Sequence, residues 1–204
     1  MLQATGLECV RGDRSLFKGV GFALERGTLL HVQGPNGSGK TSLLRILAGL
    51  AQPENGRIDW DGRPVRELGD QFRATLAYLG HHNAIKDDLS AVENLLVSER
   101  LAGGAIDEDG ARTALADLGL GRHADLPTRV LSQGQKRRAA LARLAFRRRC
   151  RLWVLDEPFV ALDVNAVARL GETIADHVRD GGIVVLTTHQ AVDVPAARTE
   201  VLAL

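Results

Sequence analysis

The chain has 204 residues, of which 45% are hydrophobic and 25% are charged, and its formal net charge is +1. This length is enough to bury one substantial core and favours a single domain. Because acidic and basic residues are interleaved and nearly balanced, the composition argues against a nucleic-acid or other polyanionic partner.

The first third of the chain is predicted to be mainly strands. Short apolar runs separated by Gly and charged turns predict strands between about residues 5 and 33, ending with Leu29–Val32. A Gly-rich segment then leads into Thr41–Leu50, whose apolar spacing is helical and ends near Pro53. Arg57–Gly62 is predicted to be a strand that reaches an Asp-Gly turn.

The middle of the chain changes in composition to Leu, Ala, Glu and Arg. Ser90–Glu93 is a capping box, so a helix is predicted to begin there, and the stretch to about residue 130 is expected to be all helical. A further helix is predicted over residues 133–148, and the basic run Arg147–Arg151 is interpreted as its solvated end.

The last third alternates strands and helices. Leu152–Leu155 is a predicted strand, a helix is expected over residues 165–179, and Ile183–Thr187 is a second apolar strand. Strands that alternate with helices indicate an α/β fold with a mostly parallel sheet, into which the helical stretch is inserted as a lobe.

The cysteine content and the apolar runs indicate a cytoplasmic protein. The two cysteines, Cys9 and Cys150, form no C-x-x-C pair or Cys/His cluster, which argues against disulfides and zinc. The first residues do not resemble a signal peptide, and no apolar run approaches the roughly 20 residues needed to cross a bilayer. We therefore expect no direct membrane span, and any membrane role would depend on a partner.

A phosphate-binding loop is predicted between the third strand and the first helix. The segment fits G-x-x-x-x-G-K-[ST], and a simple Gly-rich surface turn is disfavoured by this strand-to-helix context. Backbone N–H groups would face phosphate oxygens, the lysine would reach the β and γ phosphates, and the threonine would bind magnesium. The candidate residues are Gly34, Pro35, Asn36, Gly37, Ser38, Gly39, Lys40 and Thr41.

Two acids follow the strand at Leu152–Leu155. They are expected at the sheet edge where ligands of α/β folds bind, although solvation of a strand end would explain such a pair equally well if it stood alone. Together with the phosphate loop, Asp156 is the natural magnesium partner. Glu157 is placed to orient or deprotonate an attacking water.

A third segment separates the families that share these two motifs. Leu131–Gln135 resembles the signature sequence of ABC ATPases, with Gln133 where Gly is more usual. A Ser-x-Gly turn at a helix N-terminus suits a phosphate clamp made by Ser132, Gly134 and Gln135, whereas an isolated Ser here would read as an ordinary N-cap.

The resemblance to ABC ATPases extends to two more segments. Ala161–Asp163 resembles the D-loop, and Thr187–His189 resembles the strand end whose histidine contacts the γ-phosphate. Two positions depart from the family pattern. His81 stands where a Gln is usual, and Arg11 replaces the aromatic residue that stacks on adenine, a role that a guanidinium plane can also perform.

The resemblance to ABC ATPases implies a P-loop NTPase fold with a mostly parallel sheet, an antiparallel β subdomain and a helical lobe. The single domain, residues 1–204, would divide into a core of about residues 1–84 and 136–204 and a lobe of about residues 85–135. ATP and Mg²⁺ would be held between two copies of the chain in a head-to-tail homodimer. A membrane permease would dock around residues 81–100.

Several features resemble one subfamily, the heme exporter ATPases of cytochrome c maturation. They are Gly80-His81, Leu155–Phe159, Asp163-Val164 and Gly182–Gln190, and the resemblance runs from about residue 5 to the C-terminus. It implies a peripheral subunit at the cytoplasmic face of the bacterial inner membrane. The identity of the cargo does not follow from the sequence.

Three alternatives remain at this stage. The chain could be a soluble ABC ATPase of the Fe-S assembly type or the ATPase of a different ABC transporter. Alternatively, it could be a nucleotide-binding regulator that does not hydrolyse ATP, although Glu157 and His189 argue against this.

Overall fold

The computed structural model describes residues 1–189, 194 and 198–204. These residues contain nine strands, which are β1 (Leu2–Arg11), β2 (Arg14–Leu24), β3 (Thr28–Gln33), β4 (Asn55–Trp60), β5 (Arg63–Pro64), β6 (Leu76–Leu79), β7 (Leu152–Asp156), β8 (Ile183–Thr187) and β9 (Thr199–Ala203). Their α-helices are α1 (Lys40–Leu47), α2 (Val65–Leu68), α3 (Asp70–Arg73), α4 (Ala91–Leu101), α5 (Glu108–Asp117), α6 (Gln133–Leu141) and α7 (Val164–Arg179).

A five-stranded parallel sheet forms the centre of the fold, with the strand order β6-β7-β8-β3-β9. Every residue of β7 and β8 is buried, as expected for strands covered on both faces. This confirms the predicted parallel α/β sheet. The edge strand β9 was not predicted from the sequence, and its residues are exposed or partly exposed because it pairs with β3 on one side only.

A second sheet is antiparallel, with the strand order β2-β1-β4-β5. The predicted Asp-Gly turn joins β4 to β5, and both Asp61 (φ 48°) and Gly62 (φ 79°) are left-handed. Two left-handed central residues are typical of the type I′ turn, whose twist matches that of a hairpin. The expected antiparallel β subdomain is therefore present.

Three apolar clusters hold these layers together. One lies between the antiparallel sheet, α1 and one face of the parallel sheet, and a second packs α6 and α7 against the opposite face. The third belongs to the stretch containing α4 and α5, and residues of α6 complete it. The predicted capping box of Ser90 and Glu93 begins α4, so the expected helical stretch is confirmed.

The predicted helix over residues 133–148 is longer than the one observed. The α-helix ends at Leu141 and tightens into a 3-10 helix over Ala142–Phe146. The interpretation of the basic run as the solvated end of a helix was also wrong for Arg147. Arg147 lies 2.7 Å from the carboxylate of Glu99, whose side chain is only 1% exposed, whereas Arg148 and Arg149 are exposed. An ion pair with a buried acid holds Arg147 against the protein.

No helix in the described part of the chain combines the length and the apolar character required of a membrane span.

Candidate active site

The predicted site residues converge on the carboxyl edge of the parallel sheet. The phosphate loop follows β3, Asp156 ends β7, and His189 lies two residues beyond β8. His81 lies two residues beyond β6. Because parallel strands present their carboxyl ends at the same edge, motifs far apart in sequence meet in one place.

The phosphate loop has a backbone that only glycine adopts readily. Gly34, Gly37 and Gly39 have φ angles of 153°, 81° and 103°. A Cβ atom at Gly34 would lie 2.7 Å from Ser38 Oγ, and one at Gly39 would lie 3.0 Å from the side chain of Phe17. The loop therefore wraps closely, and α1 starts from it at Lys40.

Two polar groups of this loop suit phosphate oxygens. Lys40 is 9% exposed, and its ammonium donates hydrogen bonds to Gly34 O at 2.7 Å and Pro35 O at 3.2 Å. The buried hydroxyl of Ser38 has no hydrogen-bond partner among the described residues. The Lys40 ammonium, which lies within the loop, and the unpaired Ser38 hydroxyl are both suited to bind an anion.

Asp156 is fixed by two threonines. Thr41 Oγ1 donates to Asp156 Oδ2 at 2.8 Å, and Thr187 Oγ1 donates to Asp156 Oδ1 at 2.8 Å. Asp156 is only 2% exposed. Burial raises the pKa of the neighbouring Tyr78 phenol, and the negative charge of Asp156 raises it further.

Glu157 has a left-handed backbone, with φ 49°. Its N–H donates to Thr187 Oγ1 at 2.9 Å, and its carboxylate lies 3.3 Å from His189 Nε2 and accepts from the His189 backbone N–H at 3.3 Å. A non-glycine residue in this conformation is uncommon and concentrates at functional sites. The two predicted catalytic residues Glu157 and His189 are therefore in direct contact.

An open cleft of about 770 Å³ connects these groups. It brings together most of the predicted residues, while Gly34, Pro35 and Ser38 belong to the same loop without lining the cleft. The predicted residues that line it are Arg11, Asn36, Gly37, Gly39, Lys40, Thr41, His81, Asp156, Glu157 and His189.

Arg14 also lines the cleft and was missed in the sequence. It is the cross-strand partner of Arg11 in the β1-β2 hairpin, and its guanidinium is 3.9 Å from the position that a Cβ of Gly37 would occupy. Neither arginine makes an ion pair or side-chain hydrogen bond with the described residues. The sequence did contain a signal for this pair, because Arg11 and Arg14 stand on either side of a Gly-Asp turn.

The signature segment does not line the cleft of its own chain. Ser132 is the N-cap of α6, where its Oγ accepts from the Gln135 N–H at 3.2 Å and its N–H donates to Gln135 Oε1 at 2.8 Å. A Cβ at Gly134 would lie 2.4 Å from Ala161 O in the predicted D-loop. Close backbone packing therefore requires glycine at position 134.

Two further residues support the acids and were given no role from the sequence. Thr187 bonds both Asp156 and Glu157, as described above. Arg137 is 4% exposed and donates to the backbone carbonyls of both acids. An arginine in a basic helix segment is usually exposed to solvent, so nothing in the sequence indicated that Arg137 is buried.

The phosphate loop, the paired acids and the added antiparallel sheet together define an ATPase of the ABC transporter class. A sequence model of the family described as ABC transporter matches residues 17–160, well over half of the chain. A bacterial ABC transporter cassette solved as a dimer has the same fold, with a TM-score of 0.85 at 24% identity over 100% of this chain and 94% of the other.

Closer relatives place the chain within this class. It is 55% identical over 204 residues to the cytochrome c biogenesis ATP-binding export protein CcmA of Dechloromonas aromatica (strain RCB), covering 100% of both chains. It is 51% identical over 205 residues to the protein of the same name from Nitrosospira multiformis, covering 100% of this chain and 98% of the relative. The chain belongs to the CcmA family of ABC ATPases, which confirms the resemblance found in the sequence. Gln190, the last residue of that subfamily pattern, lies outside the described residues.

Proposed function

We propose that this protein is the ATP-hydrolysing subunit of a transporter in c-type cytochrome biogenesis, where it couples hydrolysis to a membrane permease for heme export or heme-chaperone release. The observation that carries the proposal is the meeting of Lys40, Thr41, Asp156 and Glu157 in one cleft. The names of relatives that are 51% and 55% identical over the whole chain support the assignment to cytochrome c biogenesis.

The phosphates of ATP are bound by residues 34–41. The backbone N–H groups at the start of α1 and the ammonium of Lys40 attract the negative charge, and the Ser38 hydroxyl supplies a further donor. Arg11 and Arg14 lie at the rim of the cleft, where one guanidinium can stack on the base and the other can approach the phosphates.

Thr41 and Asp156 would hold the magnesium ion. No cluster of three or more His, Cys, Asp or Glu side chains that could hold a metal occurs in the described residues. One hydroxyl and one carboxylate, already 2.8 Å apart, fit an ion that takes its remaining ligands from phosphates and water. When bound, the ion neutralises charge on the phosphate oxygens.

Glu157 is the general base that orients the attacking water and receives its proton. Its side chain is 12% exposed and reaches the cleft, while its backbone is held by Thr187. His189, at 3.3 Å from the carboxylate, positions Glu157 and contacts the γ-phosphate. His81 lines the same cleft, where its ring would face the magnesium ion or the water.

The functional unit is a head-to-tail homodimer. Ser132, Gly134 and Gln135 do not line their own cleft, so a second copy must supply them to the γ-phosphate. The Ser132 oxygen accepts from Gln135 N–H, which leaves the hydroxyl proton available to a phosphate oxygen. The segment of about residues 85–135 forms the lobe that carries this signature between the two core segments, residues 1–84 and 136–204.

The permease docks on the surface around residues 81–100 and holds the subunit peripherally at the cytoplasmic face of the bacterial inner membrane. A groove of about 460 Å³ runs between β6 and α4 and includes Leu76, Tyr78 and Leu101. Beside it, Val97 and Leu101 are 45% and 83% exposed. Apolar side chains of this kind on a groove rim suit a protein partner.

The substitution Glu157→Gln tests the hydrolytic role. The variant should bind Mg-ATP with wild-type affinity, lose most turnover and accumulate as an ATP-bound dimer, because the amide cannot accept the proton. Glu172→Gln, a change at an exposed position of α7, is the matched control. Wild-type turnover in Glu157→Gln would remove this residue from the role of base.

The alternatives predict different results. A non-hydrolysing regulator would show no turnover in the unaltered protein. A soluble Fe-S assembly ATPase would not co-purify with a membrane subunit from native membranes. If a membrane subunit co-purifies, identification of that subunit distinguishes cytochrome c biogenesis from another ABC transporter.

A further inference from the structure

Arg137 is a buried cation directly behind the catalytic acids. It lies on α6, is 4% exposed, and burial lowers the pKa of its guanidinium, an effect that the nearby charge of Asp156 opposes. Guanidinium groups nevertheless stay charged in proteins. Arg137 forms no ion pair with a carboxylate of the described residues, and its two terminal NH2 groups donate instead to four oxygen acceptors.

These four acceptors belong to two segments that both enter the cleft. One NH group of Arg137 donates to Asp156 O and Glu157 O, each at 2.8 Å. The other donates to Gly80 O at 3.0 Å and Asn83 Oδ1 at 3.1 Å. Arg137 therefore joins the backbone of the catalytic acids to the segment, residues 80–83, that contains His81.

The sheet itself does not hold these two segments together. The last paired residues of β6 and β7 are Leu79 and Leu155, so the β-ladder stops just before both segments begin. Beyond that point, the hydrogen bonds of Arg137 continue the connection. A fork of planar donors can span several carbonyl oxygens in a way that a single ammonium cannot.

Arg137 also helps to hold Glu157 in its uncommon backbone conformation. The φ angle of Glu157 is 49°, and its N–H and C=O are both bound by side chains, Thr187 and Arg137 respectively. Such a conformation persists only where the surroundings impose it. Loss of the Arg137 contact would let the Glu157 peptide relax and move its carboxylate.

The same network continues towards the helical stretch. Asn83 O accepts from Arg143 at 3.1 Å, and Arg143 is attracted by Glu99 of α4, which itself pairs with Arg147 at 2.7 Å. Residues 80–83 are thus tied to the acids through Arg137 and to α4 through Arg143. A shift of α4 relative to the sheet would act on these residues.

We infer that Arg137 is a positioning residue for ATP hydrolysis, which keeps the Glu157 carboxylate aligned with the segment containing His81. This inference rests on the proposed role of Glu157 as the base. Arg137 does not line the cleft, and it acts through the two backbone segments that it joins.

The test compares Arg137→Lys with Arg112→Lys, a partly exposed control on α5, in the full chain purified with the subunits that accompany it. Lysine keeps the charge but cannot span four acceptors. We expect the kcat of Arg137→Lys to fall about 10-fold to 100-fold, as misplacement of a reacting group by about 1 Å does. The Kd of Mg-ATP should stay within about twofold, because the phosphate loop is not touched.

A second variant, Asn83→Ala, removes one of the four acceptors and keeps Arg137. We expect its kcat to fall about threefold to tenfold, the loss that corresponds to one hydrogen bond, with unchanged Mg-ATP affinity. This variant decides the outcome if Arg137→Lys does not fold. A wild-type kcat in folded Arg137→Lys overturns the inference. If Arg137→Lys does not fold, a wild-type kcat in Asn83→Ala overturns it. An equal loss of kcat and of nucleotide affinity also overturns it.

Glu157→Gln is measured in parallel to separate the two hypotheses. If Glu157→Gln is inactive and Arg137→Lys is fully active, the positioning role fails and the proposed function stands. If Glu157→Gln is fully active, the assignment of the base fails, and the positioning role that depends on it fails as well.

Discussion

Thr41 Oγ1 donates a 2.8 Å hydrogen bond to Asp156 Oδ2, across 115 positions of the chain. The bond joins the first turn of α1 to the last residue of β7. The hydroxyl of Thr41 and the carboxylate of Asp156 therefore lie next to each other. A magnesium ion bound there would meet two oxygen ligands already at the right separation for a shared site.

Replacing Thr41 by Val should abolish magnesium-dependent turnover. The change keeps the shape of the side chain but removes the hydroxyl that would bind the ion and that now bonds Asp156. Thr41→Ser keeps this hydroxyl and should retain most activity. ATP binding measured by calorimetry with and without Mg²⁺ should show that Thr41→Val loses the magnesium-dependent gain in affinity. An undiminished magnesium effect would exclude Thr41 as a ligand.

A charge on the rim of the groove beside α4 should weaken association with the permease. Leu101 is 83% exposed, so Leu101→Glu should leave the fold and basal nucleotide binding intact while reducing co-purification of the membrane subunit. Val201→Glu is a suitable control, because Val201 is also exposed but lies on β9, at the opposite edge of the sheet from β6. Equal loss of the membrane subunit in both variants would contradict a docking site at this groove.

Adding a methyl group at Gly134 should separate nucleotide binding from hydrolysis. The new Cβ would lie 2.4 Å from Ala161 O, so either the start of α6 or the D-loop must move. We expect Gly134→Ala to lose turnover by at least about 10-fold, which corresponds to about 1.4 kcal/mol. Binding of ATP to the phosphate loop should be preserved.

The adjacent change Gln133→Gly is the control for Gly134→Ala, since it restores the residue more usual in the ABC signature. It should leave turnover near the wild-type rate. If Gly134→Ala hydrolyses ATP as fast as Gln133→Gly does, the close approach of α6 to the D-loop has no bearing on catalysis.

The stability of the fold should decrease as the pH falls below about 6.5, because of His177. Burial lowers the pKa of His177 from 6.5 to about 4, with a smaller opposing effect of Asp180, and the ring stacks on Trp153 at 3.9 Å. The unfolded chain binds the proton at the higher pH, so stability is lost between about pH 6.5 and pH 4. The loss is at most about 3 kcal/mol.

Denaturant unfolding at pH 7 and pH 5 measures this effect. His177→Phe keeps an aromatic ring against Trp153 and removes the titrating group, so its free energy of unfolding should vary less over the same range. An identical pH dependence in both proteins would mean that His177 does not carry the effect.

Much of the site could be predicted because its motifs are local. Residues 34–41 carry both the glycines that the loop requires and the side chains that bind phosphate, and Asp156-Glu157 follows an apolar run that forms β7. The capping box at Ser90 is likewise a short pattern with one structural meaning. Such motifs depend on neighbours within a few residues, and the sequence contains all of them.

The residues that were missed depend on contacts between distant segments. Arg137 reads as a solvated helix residue until the fold sets it behind the β6 and β7 ends, and Arg147 reads the same way until α4 brings Glu99 to it. Arg14 becomes part of the cleft only when the β1-β2 hairpin lies over the phosphate loop.

The family, the parallel sheet and most of the residues that line the cleft were thus predicted from the sequence alone, because a loop or a strand end is defined by consecutive residues. Only the tertiary structure decided which cations are buried and what they bind. The reason is physical: the free energy of a buried charge depends on the acceptors around it, and those acceptors come from segments that meet only after folding.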